Sequence, residues 1–273
     1  MDKLLFKVNS IDYLSSSVAE IRSLRKGFIT NFYLDPAKHA IWIIKGDCYT
    51  ERINDTLFII KLSPLFWNVY FCSTALVQLI DDFNKLQESH PQQSMVFDIV
   101  GREVQCMPIV SALQGCNCKM LASLVRMKRV SDTIPEMSSD PNVLLADDKS
   151  IPEIYQSLHV YFNERIEQIP YFEELMDCSH QRGILVCEEN GAMAGFLIFE
   201  HNPSTLYLRY WFTHPNFRER RVGSRLMHRF FEEGKETRRQ LLWVVQTNDN
   251  AIKRYRHYGF TEEDMFDYVL QFN

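Results

Sequence analysis

The stretch Asn248–Phe260, "NDNAIKRYRHYGF", sets an Asn, a small residue, a Tyr and a Gly-Phe pair at intervals that a plain surface helix does not require. Asn248 predicts an N-cap whose amide turns toward a ligand, and Ala251 leaves room for that ligand beside the helix. Tyr255 follows one turn later on the same side as Ala251. Gly259 lets the chain leave the helix, and the Phe after it returns to the core. The spacing therefore predicts a short helix with one face against a bound molecule.

A second stretch, "NFRERRVGSRLM" at 216–227, joins a predicted strand to a predicted amphipathic helix. The first N–H groups of a helix have no internal partner and carry partial positive charge, so such an end binds anions. Gly223 has no Cβ, which lets a phosphate approach the backbone. Arg218, with Arg220 or Arg221, adds charge-assisted contacts. An ordinary basic first turn has the same composition, so this stretch alone leaves both interpretations open.

The order of elements in the second half predicts the fold class. Two apolar runs flank "ENGA", where Asn-Gly supplies the positive φ angles of a tight hairpin turn. The run "LLWVVQT" is almost continuously apolar, as in a strand buried on both faces. We predict helices at 150–166 (capped by Ser150), 171–178, 221–238 and 249–258, a hairpin at 183–202, and strands at 205–215, 241–247 and 267–272. This order predicts an α+β fold with a mixed, mostly antiparallel sheet flanked by helices.

Together the two stretches resemble the GNAT superfamily of acyl-CoA-dependent N-acetyltransferases. Residues 218–223, Arg-Glu-Arg-Arg-Val-Gly, are similar to its pyrophosphate-binding motif, Arg/Gln-x-x-Gly-x-Gly/Ala. Residues 248–260 are similar to its C-terminal motif, Asn-x-x-Ala-x-x-x-Tyr followed by Gly-Phe. The resemblance covers residues 143–273. It departs from the pattern at Arg221, which stands where the first glycine of the phosphate loop is usual.

The resemblance implies an acyl-CoA N-acyltransferase-like fold with acetyl-CoA as the acyl donor. Backbone N–H groups of the phosphate loop would hold the CoA pyrophosphate. The end of the preceding strand would pair with the pantetheine arm and help polarise the thioester carbonyl. The implied CoA-binding residues are Phe212, Thr213, Arg218, Arg220, Arg221, Val222, Gly223, Ser224, Asn248 and Ala251.

The resemblance also implies that Tyr255 is the general acid. Acyl transfer from a thioester expels a thiolate of pKa about 8.5, and a phenol of pKa about 10 donates to it while staying protonated at neutral pH. The amine needs a base, because an amine of pKa about 10.4 is neutral in only ~0.1% of molecules near neutral pH. The strand before the phosphate loop, where family members often place a carboxylate, has none; its Arg209 suits an anionic acceptor instead. The candidate bases are Glu173, Glu174 and His214.

Residues 1–130 are predicted to form a separate domain, joined by a linker at 131–142 to a second domain at 143–273. We predict strands at 56–62, 67–73, 94–101 and 119–130, and helices at 73–89 (capped by Ser73) and 104–116 (interrupted by Pro108). This order repeats that of the second half and predicts a degenerate GNAT-like repeat. Without a Gly-rich phosphate loop or a matching Tyr, it is expected not to bind CoA. It would shape the acceptor cleft or form a homodimer surface; an unrelated accessory α+β domain is the alternative.

The composition limits the partners and the compartment. The 273-residue chain has a formal net charge of -5, and nucleic-acid binding needs a basic face, so we expect no nucleic-acid partner. No run reaches the roughly 18 apolar residues of a membrane span, and the N-terminal residues do not predict a leader peptide. Seven scattered Cys predict reduced thiols in the cytoplasm. They predict no metal site, because no second Cys or His pair stands at ligand spacing.

The leading hypothesis is an acetyl-CoA-dependent N-acetyltransferase. It would move an acetyl group to a primary amine of a small molecule or a peptide, by direct attack through a tetrahedral intermediate. The alternative is a non-catalytic acyl-CoA-binding or peptide-binding module on the same fold, for which Arg221 and the missing strand carboxylate are signs of lost catalysis. A transferase that uses charged tRNA is less favoured, because the CoA signature is intact and the chain is acidic.

Overall fold

The computed structural model describes residues 5–130 and 140–273, and divides into two compact units. The N-terminal unit contains the chain up to Ser123 together with Met265–Asn273, and the C-terminal unit contains Leu124–Asp264. Each unit thus includes a strand segment from the other half of the sequence. Residues 131–139 of the predicted linker lie outside the described residues, and the domain boundaries at 130 and 143 stay predictions.

Strands and helices alternate along the whole chain. The first ten elements are β1 (Phe6–Lys7), α1 (Ile11–Ser23), β2 (Ile29–Thr30), α2 (Pro36–Lys45), β3 (Cys48–Ile53), β4 (Thr56–Leu62), β5 (Trp67–Ser73), α3 (Leu76–Ser89), β6 (Met95–Gly101) and α4 (Glu103–Gly115). The others are β7 (Lys119–Arg129), β8 (Val143–Leu145), α5 (Ile151–Tyr161), α6 (Phe172–His180), β9 (Ile184–Glu189), β10 (Ala192–Asn202), β11 (Thr205–Thr213), a 3₁₀ helix (Pro215–Arg220), α7 (Val222–Glu233), β12 (Arg239–Val245), α8 (Asp249–His257) and β13 (Thr261–Phe272).

The C-terminal unit is built on a sheet with the strand order β7-β12-β11-β10-β9-β8. The pairing of β11 with β12 is parallel and the other pairs are antiparallel. Helices cover both faces: α5 and α6 pack on a core that includes Phe196 and Phe212, while Phe230 of α7 meets Phe199 on the other face. This is the predicted mixed, mostly antiparallel sheet flanked by helices.

The N-terminal unit repeats this plan. Its sheet has the order β1-β3-β4-β5-β6-β13, and β5 and β6 form its parallel pair. The last strand is supplied by the C-terminal end of the chain, where Phe266–Phe272 of β13 pairs with β6. The C-terminal unit correspondingly takes Leu124–Arg129 of β7 as the partner of β12. The succession β5-α3-β6-α4-β7 matches β11-α7-β12-α8-β13, as the predicted repeat requires.

In each unit the parallel pair separates after a few residues. In the C-terminal unit, Thr205–Leu208 pairs with Arg239–Leu242, whereas both strands continue beyond these residues. In the N-terminal unit only Trp67 and Asn68 of β5 pair with β6. A parallel pair that diverges in this way leaves unpaired backbone N–H and C=O groups on the edges of the gap.

The gap of the N-terminal unit is filled by the chain itself. Strand β2 pairs with the far end of β5, matching Ile29 to Ser73 and Thr30 to Cys72. The Asn31 amide then bridges the two diverging strands: its nitrogen donates to the carbonyls of Val69 (3.3 Å) and Asp98 (3.1 Å). Its oxygen accepts the N–H of Phe71 at 2.7 Å, and the Thr30 hydroxyl donates to the Phe71 carbonyl at 2.6 Å. The residues at 29–31 therefore satisfy the backbone groups that the divergence exposes.

Several local predictions are confirmed. The strands at 56–62 and 67–73 have the predicted bounds, and α8 covers most of the predicted 249–258. The hairpin turns at Asn190 (φ 55°) and Gly191 (φ 76°), the pair of positive angles expected of Asn-Gly. Within the described residues, no helix is long and apolar enough to cross a membrane.

Two predictions for the first half were wrong. Helix α4 runs through Pro108 without interruption; the carbonyl that Pro108 leaves unbonded belongs to Val104, which is 76% exposed, so water can satisfy it. Ser73 does not cap α3, whose N-cap is Ala75. The Ser73 hydroxyl instead bonds Thr56 across the sheet at 2.7 Å.

The helix predicted at 150–166 is also shorter than expected. It ends at Tyr161 because Phe162 is extended, with φ -119° and ψ 151°. Ser150 occupies the N-cap position, but its side chain makes no capping bond, and its hydroxyl donates to the Asp147 carboxylate at 2.8 Å. The chain from Phe162 to Tyr171 is therefore a loop, and its course matters for the site described next.

Candidate active site

The site is centred on the open edge of β11. Beyond Leu208 this strand has no partner on its β12 side among the described residues, while β10 pairs with its other side as far as Thr213. A bulge at Arg209 shifts the register, since Ile198 faces Tyr210 and the next residue of β10 faces Leu208. The open edge therefore offers backbone groups to an extended ligand, in the way that a sheet edge accepts another strand.

At one end of this edge lies the first turn of α7. Arg221 is its N-cap, in the left-handed conformation (φ 55°, ψ 20°), and no side chain caps the helix. The glycine usual at this position adopts such angles freely, so Arg221 keeps the backbone course of the motif and its own side chain is exposed. Val222 is fully buried and fixes the turn to the core. The free N–H groups of this turn form an anion-binding end.

The basic side chains around that turn are not equivalent. Arg218 is exposed and makes no ion pair among the described residues. Arg220 lies 3.6 Å from the Glu189 carboxylate, so part of its charge is already compensated. The Ser224 hydroxyl accepts a hydrogen bond from Tyr258 at 3.0 Å. Arg218 and Arg221 are thus the cations most available to an anion at this helix end.

Gly223 is required by close packing. A Cβ at this position would lie 3.0 Å from the Trp211 ring and 3.3 Å from the Thr213 hydroxyl. The first turn of α7 therefore rests directly on the end of β11, which brings the free N–H groups of the helix next to the open strand edge. Substitutions at Gly223 would displace Trp211 as well as any ligand.

The opening stretch of the sequence forms α8, as predicted. The Asn248 side-chain oxygen accepts the Ala251 N–H at 3.1 Å, which leaves the amide nitrogen of its side chain for other partners. Ala251 is half-buried. Tyr255 is 9% exposed, and its ring centroid lies 5.5 Å from that of Trp211 on β11. Phe260 returns to the core after Gly259, whose φ is 85°.

Tyr255 is held in its protonated form. Burial raises the pKa of its phenol above the ordinary value, and the nearby charge of Glu167 raises it further; Arg254 acts in the opposite direction. Its hydroxyl makes no hydrogen bond to the described residues. The group is therefore a buried, unengaged proton donor beside the open edge of β11.

Trp211 was not singled out in the sequence. Its indole N–H is buried and has no hydrogen-bond partner among the described residues. The ring lies against Tyr255 and against the position where Gly223 would carry a side chain. A buried donor without an acceptor is unfavourable by about 1–3 kcal/mol unless a ligand supplies one. The alternation of side chains along "RYWFT" places Trp211 on the α8 side and Phe212 on the opposite face, where Phe212 stacks on Phe196 at 5.1 Å.

The three predicted bases lie in different surroundings. Glu174 accepts the Tyr171 N–H at 2.6 Å and completes a capping box at the start of α6. Glu173 is exposed on the same helix. His214 accepts the Asn216 N–H at 3.3 Å and begins the 3₁₀ helix. No item of geometry joins any of these three side chains to Tyr255.

Arg209 does not present a free charge. It forms a 2.6 Å ion pair with Glu200 on the neighbouring strand. Its guanidinium also lies 5.7 Å from the Tyr207 ring and 6.0 Å from the Tyr210 ring. The expected attraction of Arg209 for an anionic acceptor is therefore largely cancelled by Glu200.

A carboxyl group that the sequence analysis overlooked lies close to Tyr255. Glu167 is half-buried in the loop between α5 and α6, and burial raises its pKa to about 7. The Tyr210 hydroxyl holds this loop by donating to the Glu167 carbonyl at 2.6 Å. The stretch "NERIEQIP" has no periodicity that marks Glu167, so only its contact with a distant strand reveals it.

The sequence of this region matches a known family model. Residues 151–260 match the model described as "Acetyltransferase (GNAT) family". These residues carry a GNAT domain. The GNAT domain includes the first turn of α7, the open edge of β11 and all of α8, and the predicted resemblance of the C-terminal half is confirmed.

One curated relative matches the chain in part. It is an uncharacterized N-acetyltransferase from Methanocaldococcus jannaschii, 32% identical over 104 residues, which are 35% of this chain and 46% of the relative. The chain thus matches about half the length of that relative. The similarity extends to the GNAT acyltransferase class in general terms, and the activity of the whole chain is a matter for proposal.

Solved structures share the complete two-unit fold. A tandem GNAT protein from the clavulanic acid biosynthesis pathway covers 98% of this chain and 98% of its own, with a TM-score of 0.61 and 10% identity. A GNAT-family acetyltransferase from Colwellia psychrerythraea covers 99% and 100%, with a TM-score of 0.59 and 11% identity. At these identities the likeness concerns the fold alone. It confirms the α+β, two-domain prediction and the GNAT-like layout of the first half.

Proposed function

We propose that this protein is an acetyl-CoA-dependent N-acetyltransferase that acts on a primary amine of a small molecule or peptide. The observation that carries the proposal is the open edge of β11, which has an uncapped helix start at one end and Tyr255 beside it. An acyl-CoA has the matching parts: a pyrophosphate for the helix start and an extended arm for the strand edge.

The residues present fit this substrate. The N–H groups from Val222 to Ser224, with Arg218 and Arg221, would hold the pyrophosphate. Backbone groups of Phe212 and Thr213, the Asn248 side chain and the Trp211 indole N–H are available to the amides and carbonyls of the arm. Ala251 leaves the side of α8 free of a bulky side chain. The family match supports the same substrate class.

Tyr255 has the chemistry for the leaving group. When the acyl carbon is attacked, the C–S bond breaks and the sulfur needs a proton. A buried phenol with a raised pKa stays protonated through neutral pH and can donate at the moment the thiolate forms. Backbone N–H groups on the open edge of β11 would stabilise the oxyanion.

The second candidate function is a binding module that holds acyl-CoA without chemistry. Two observations favour it: Arg221 replaces the usual glycine, and β11 carries no carboxylate. The first is weakened by the left-handed backbone of Arg221, which keeps the course of the motif. Turnover with a primary amine separates the two candidates, because a binding module shows saturable binding without product.

The first experiment compares melting temperatures with and without acetyl-CoA. Ligand at about a hundred times its dissociation constant stabilises a protein by about 2.7 kcal/mol. For a unit of this size the expected shift is roughly 5–10 °C. Arg221→Asp should leave the melting temperature of the free protein within about 1 °C, since the side chain is exposed, and abolish most of the shift by repelling the pyrophosphate.

Arg238→Asp is the matched control, because Arg238 is equally exposed but follows the other end of α7. It should keep the full shift. Equal shifts in both variants would mean that the helix start does not bind the pyrophosphate, and no shift in the native protein would remove acetyl-CoA from the proposal.

We also expect one acetyl-CoA per chain. The gap between β5 and β6 is occupied by β2 and Asn31, so the N-terminal repeat has no open edge to offer. Isothermal titration calorimetry should give a stoichiometry of one in the native protein and no measurable binding in Arg221→Asp. A stoichiometry of two would show that the segment at 29–31 leaves its groove when ligand is present.

A further inference from the structure

We propose that Glu167, in the loop between α5 and α6, is the general base that removes a proton from the acceptor amine. This inference rests on the proposed function, because it assigns the missing base of that reaction. Neither the strand before the phosphate loop nor the family motifs supplies this residue. The assignment comes from three features of the structure: where the loop is anchored, what the carboxyl group faces, and how the other acidic groups nearby are occupied.

The loop is fixed to the open part of β11. Tyr210 directly follows the bulge at Arg209, and its hydroxyl donates to the Glu167 carbonyl at 2.6 Å and to the Gln168 carbonyl at 3.2 Å. The Glu167 N–H in turn bonds the Asn163 carbonyl at 2.9 Å. Gln168 has a φ of 39°, which reverses the chain just after Glu167. The Glu167 backbone is therefore held at the strand that would carry the thioester.

The carboxyl group acts on both phenols of the site. The charge of Glu167 contributes to the raised pKa of Tyr210 on β11 and of Tyr255 on α8, after the larger effect of burial in each case. Such an influence requires proximity, since charges far apart are screened by solvent. Arg209 beside Tyr210 is paired with Glu200, and Arg254 beside Tyr255 is exposed. The base and the proposed acid thus share one site.

Burial gives the Glu167 carboxyl the protonation behaviour of a base at neutral pH. Its pKa is raised to about 7, with no cation lowering it. A base works best when its pKa lies near the working pH. The other acidic groups close in sequence are engaged elsewhere: Glu174 caps α6, and Glu164 lies 2.6 Å from the His159 ring. Glu167 is the acid of this loop that faces the site.

The proton transfers balance with these two groups. The ammonium form of the acceptor loses one proton to the Glu167 carboxylate, directly or through a water molecule. The free amine attacks the acyl carbon, the C–N bond forms, and the C–S bond breaks as the sulfur takes the Tyr255 proton. The second proton on nitrogen returns to Tyr255, and Glu167 releases its proton to solvent. The products are the amide, the CoA thiol and one proton.

The protonation of Glu167 can be tested without any acceptor. Carbon-13 labelling of Glu side chains should show one carboxyl signal titrating near pH 7, absent in Glu167→Gln. The neighbouring Glu164→Gln variant, a matched loss of one carboxyl from the same loop, should retain that signal. A Glu167 signal that titrates near the ordinary value of about 4.3 would overturn the inference.

The reaction itself supplies the second measurement. The probe is acetyl-CoA alone, with water as the acceptor, and the released CoA is quantified by chromatography; primary amines found as substrates are then tested in the same way. Release by the native protein should rise with pH through about 7 and then level off. Glu167→Gln should lower the rate about 100-fold near pH 7.5 and remove this rise, while the acetyl-CoA-induced melting shift stays unchanged.

With an amine acceptor, the deficit of Glu167→Gln should shrink above pH 9, where the amine loses its proton without help. Glu164→Gln should behave as the native protein does. A variant that keeps the native pH profile would overturn the inference. If the Glu167 signal titrates near pH 7 but the native protein neither hydrolyses acetyl-CoA nor acetylates an amine, the proposed function fails, and the base role fails with it.

Discussion

Replacement of Tyr255 by Phe should lower kcat by about 10²–10³-fold near pH 7.5, with little change in acetyl-CoA affinity. The variant removes the proton donor for the leaving sulfur, an effect in the range known for general acids. The ring remains, so its contacts with Trp211 and Phe260 persist. Initial rates with a primary amine, together with the melting shift caused by acetyl-CoA, measure the two effects separately.

Tyr70→Phe is the control for the loss of a buried hydroxyl. Tyr70 is 9% exposed, as is Tyr255, but it lies in the N-terminal unit. Its substitution should leave kcat within about two-fold of the native value. If Tyr255→Phe retains full turnover, the leaving group takes its proton from another source and the role of Tyr255 is only to pack against Trp211.

The largest expected effect on stability comes from Arg129→Leu, at about 3 kcal/mol. Arg129 is 5% exposed; its guanidinium donates to the Tyr258 carbonyl and to the Gln240 side chain, each at 2.9 Å, and stacks on Phe231 at 4.5 Å. Removal leaves a buried carbonyl and a buried amide without their donor, which is the costly case for polar groups in a core. The midpoint of chemical denaturation measures the change.

Arg126→Leu on the same strand is the comparison. Arg126 pairs with Glu263 at 2.6 Å, and Lys128 lies 3.3 Å from the same carboxylate. Because this pair is partly exposed and a second cation remains, the expected loss is about 1 kcal/mol or less. Similar losses in the two variants would show that the contacts of Arg129 with α8 and β12 add nothing beyond an ordinary surface ion pair.

The elements of the C-terminal half follow from short-range patterns. Helix α8 has its cap, its apolar positions and its terminating glycine within a dozen residues, so its bounds and its orientation toward a ligand were predictable. The same holds for the hairpin, whose turn depends on Asn190 and Gly191. Where start, face and stop all lie in one stretch, tertiary packing selects the conformation that the local sequence already favours.

Helix α2 shows a local signal that was overlooked. Sequence analysis assigned no element to this region, because "AIWIIK" is rich in residues that favour strands. Its ends, however, are explicit: Asp35 accepts the N–H groups of Ala37 and Lys38, Pro36 begins the helix, and Gly46 ends it at φ 78°. The capping residues were the better guide than the apolar run between them.

Glu167 and the segment at 29–31 were not predictable in this way. The environment of Glu167 is created by Tyr210, 43 residues later, and that of Asn31 by strands that follow it by up to 67 residues. In both cases a polar side chain derives its role from backbone groups exposed by diverging strands. No periodicity or cap in the nearby sequence encodes such a partnership.

The filled gap of the N-terminal unit has a consequence for conformational entropy. In that unit, Thr30 and Asn31 fix the edges of the gap as the chain folds, so the loss of freedom is complete before any substrate arrives. In the C-terminal unit the edge of β11 beyond Leu208 stays unpaired until a ligand lies along it. Two repeats with one fold would thus differ in when they become rigid, and the ordering that accompanies acyl-CoA binding would fall on the second repeat alone.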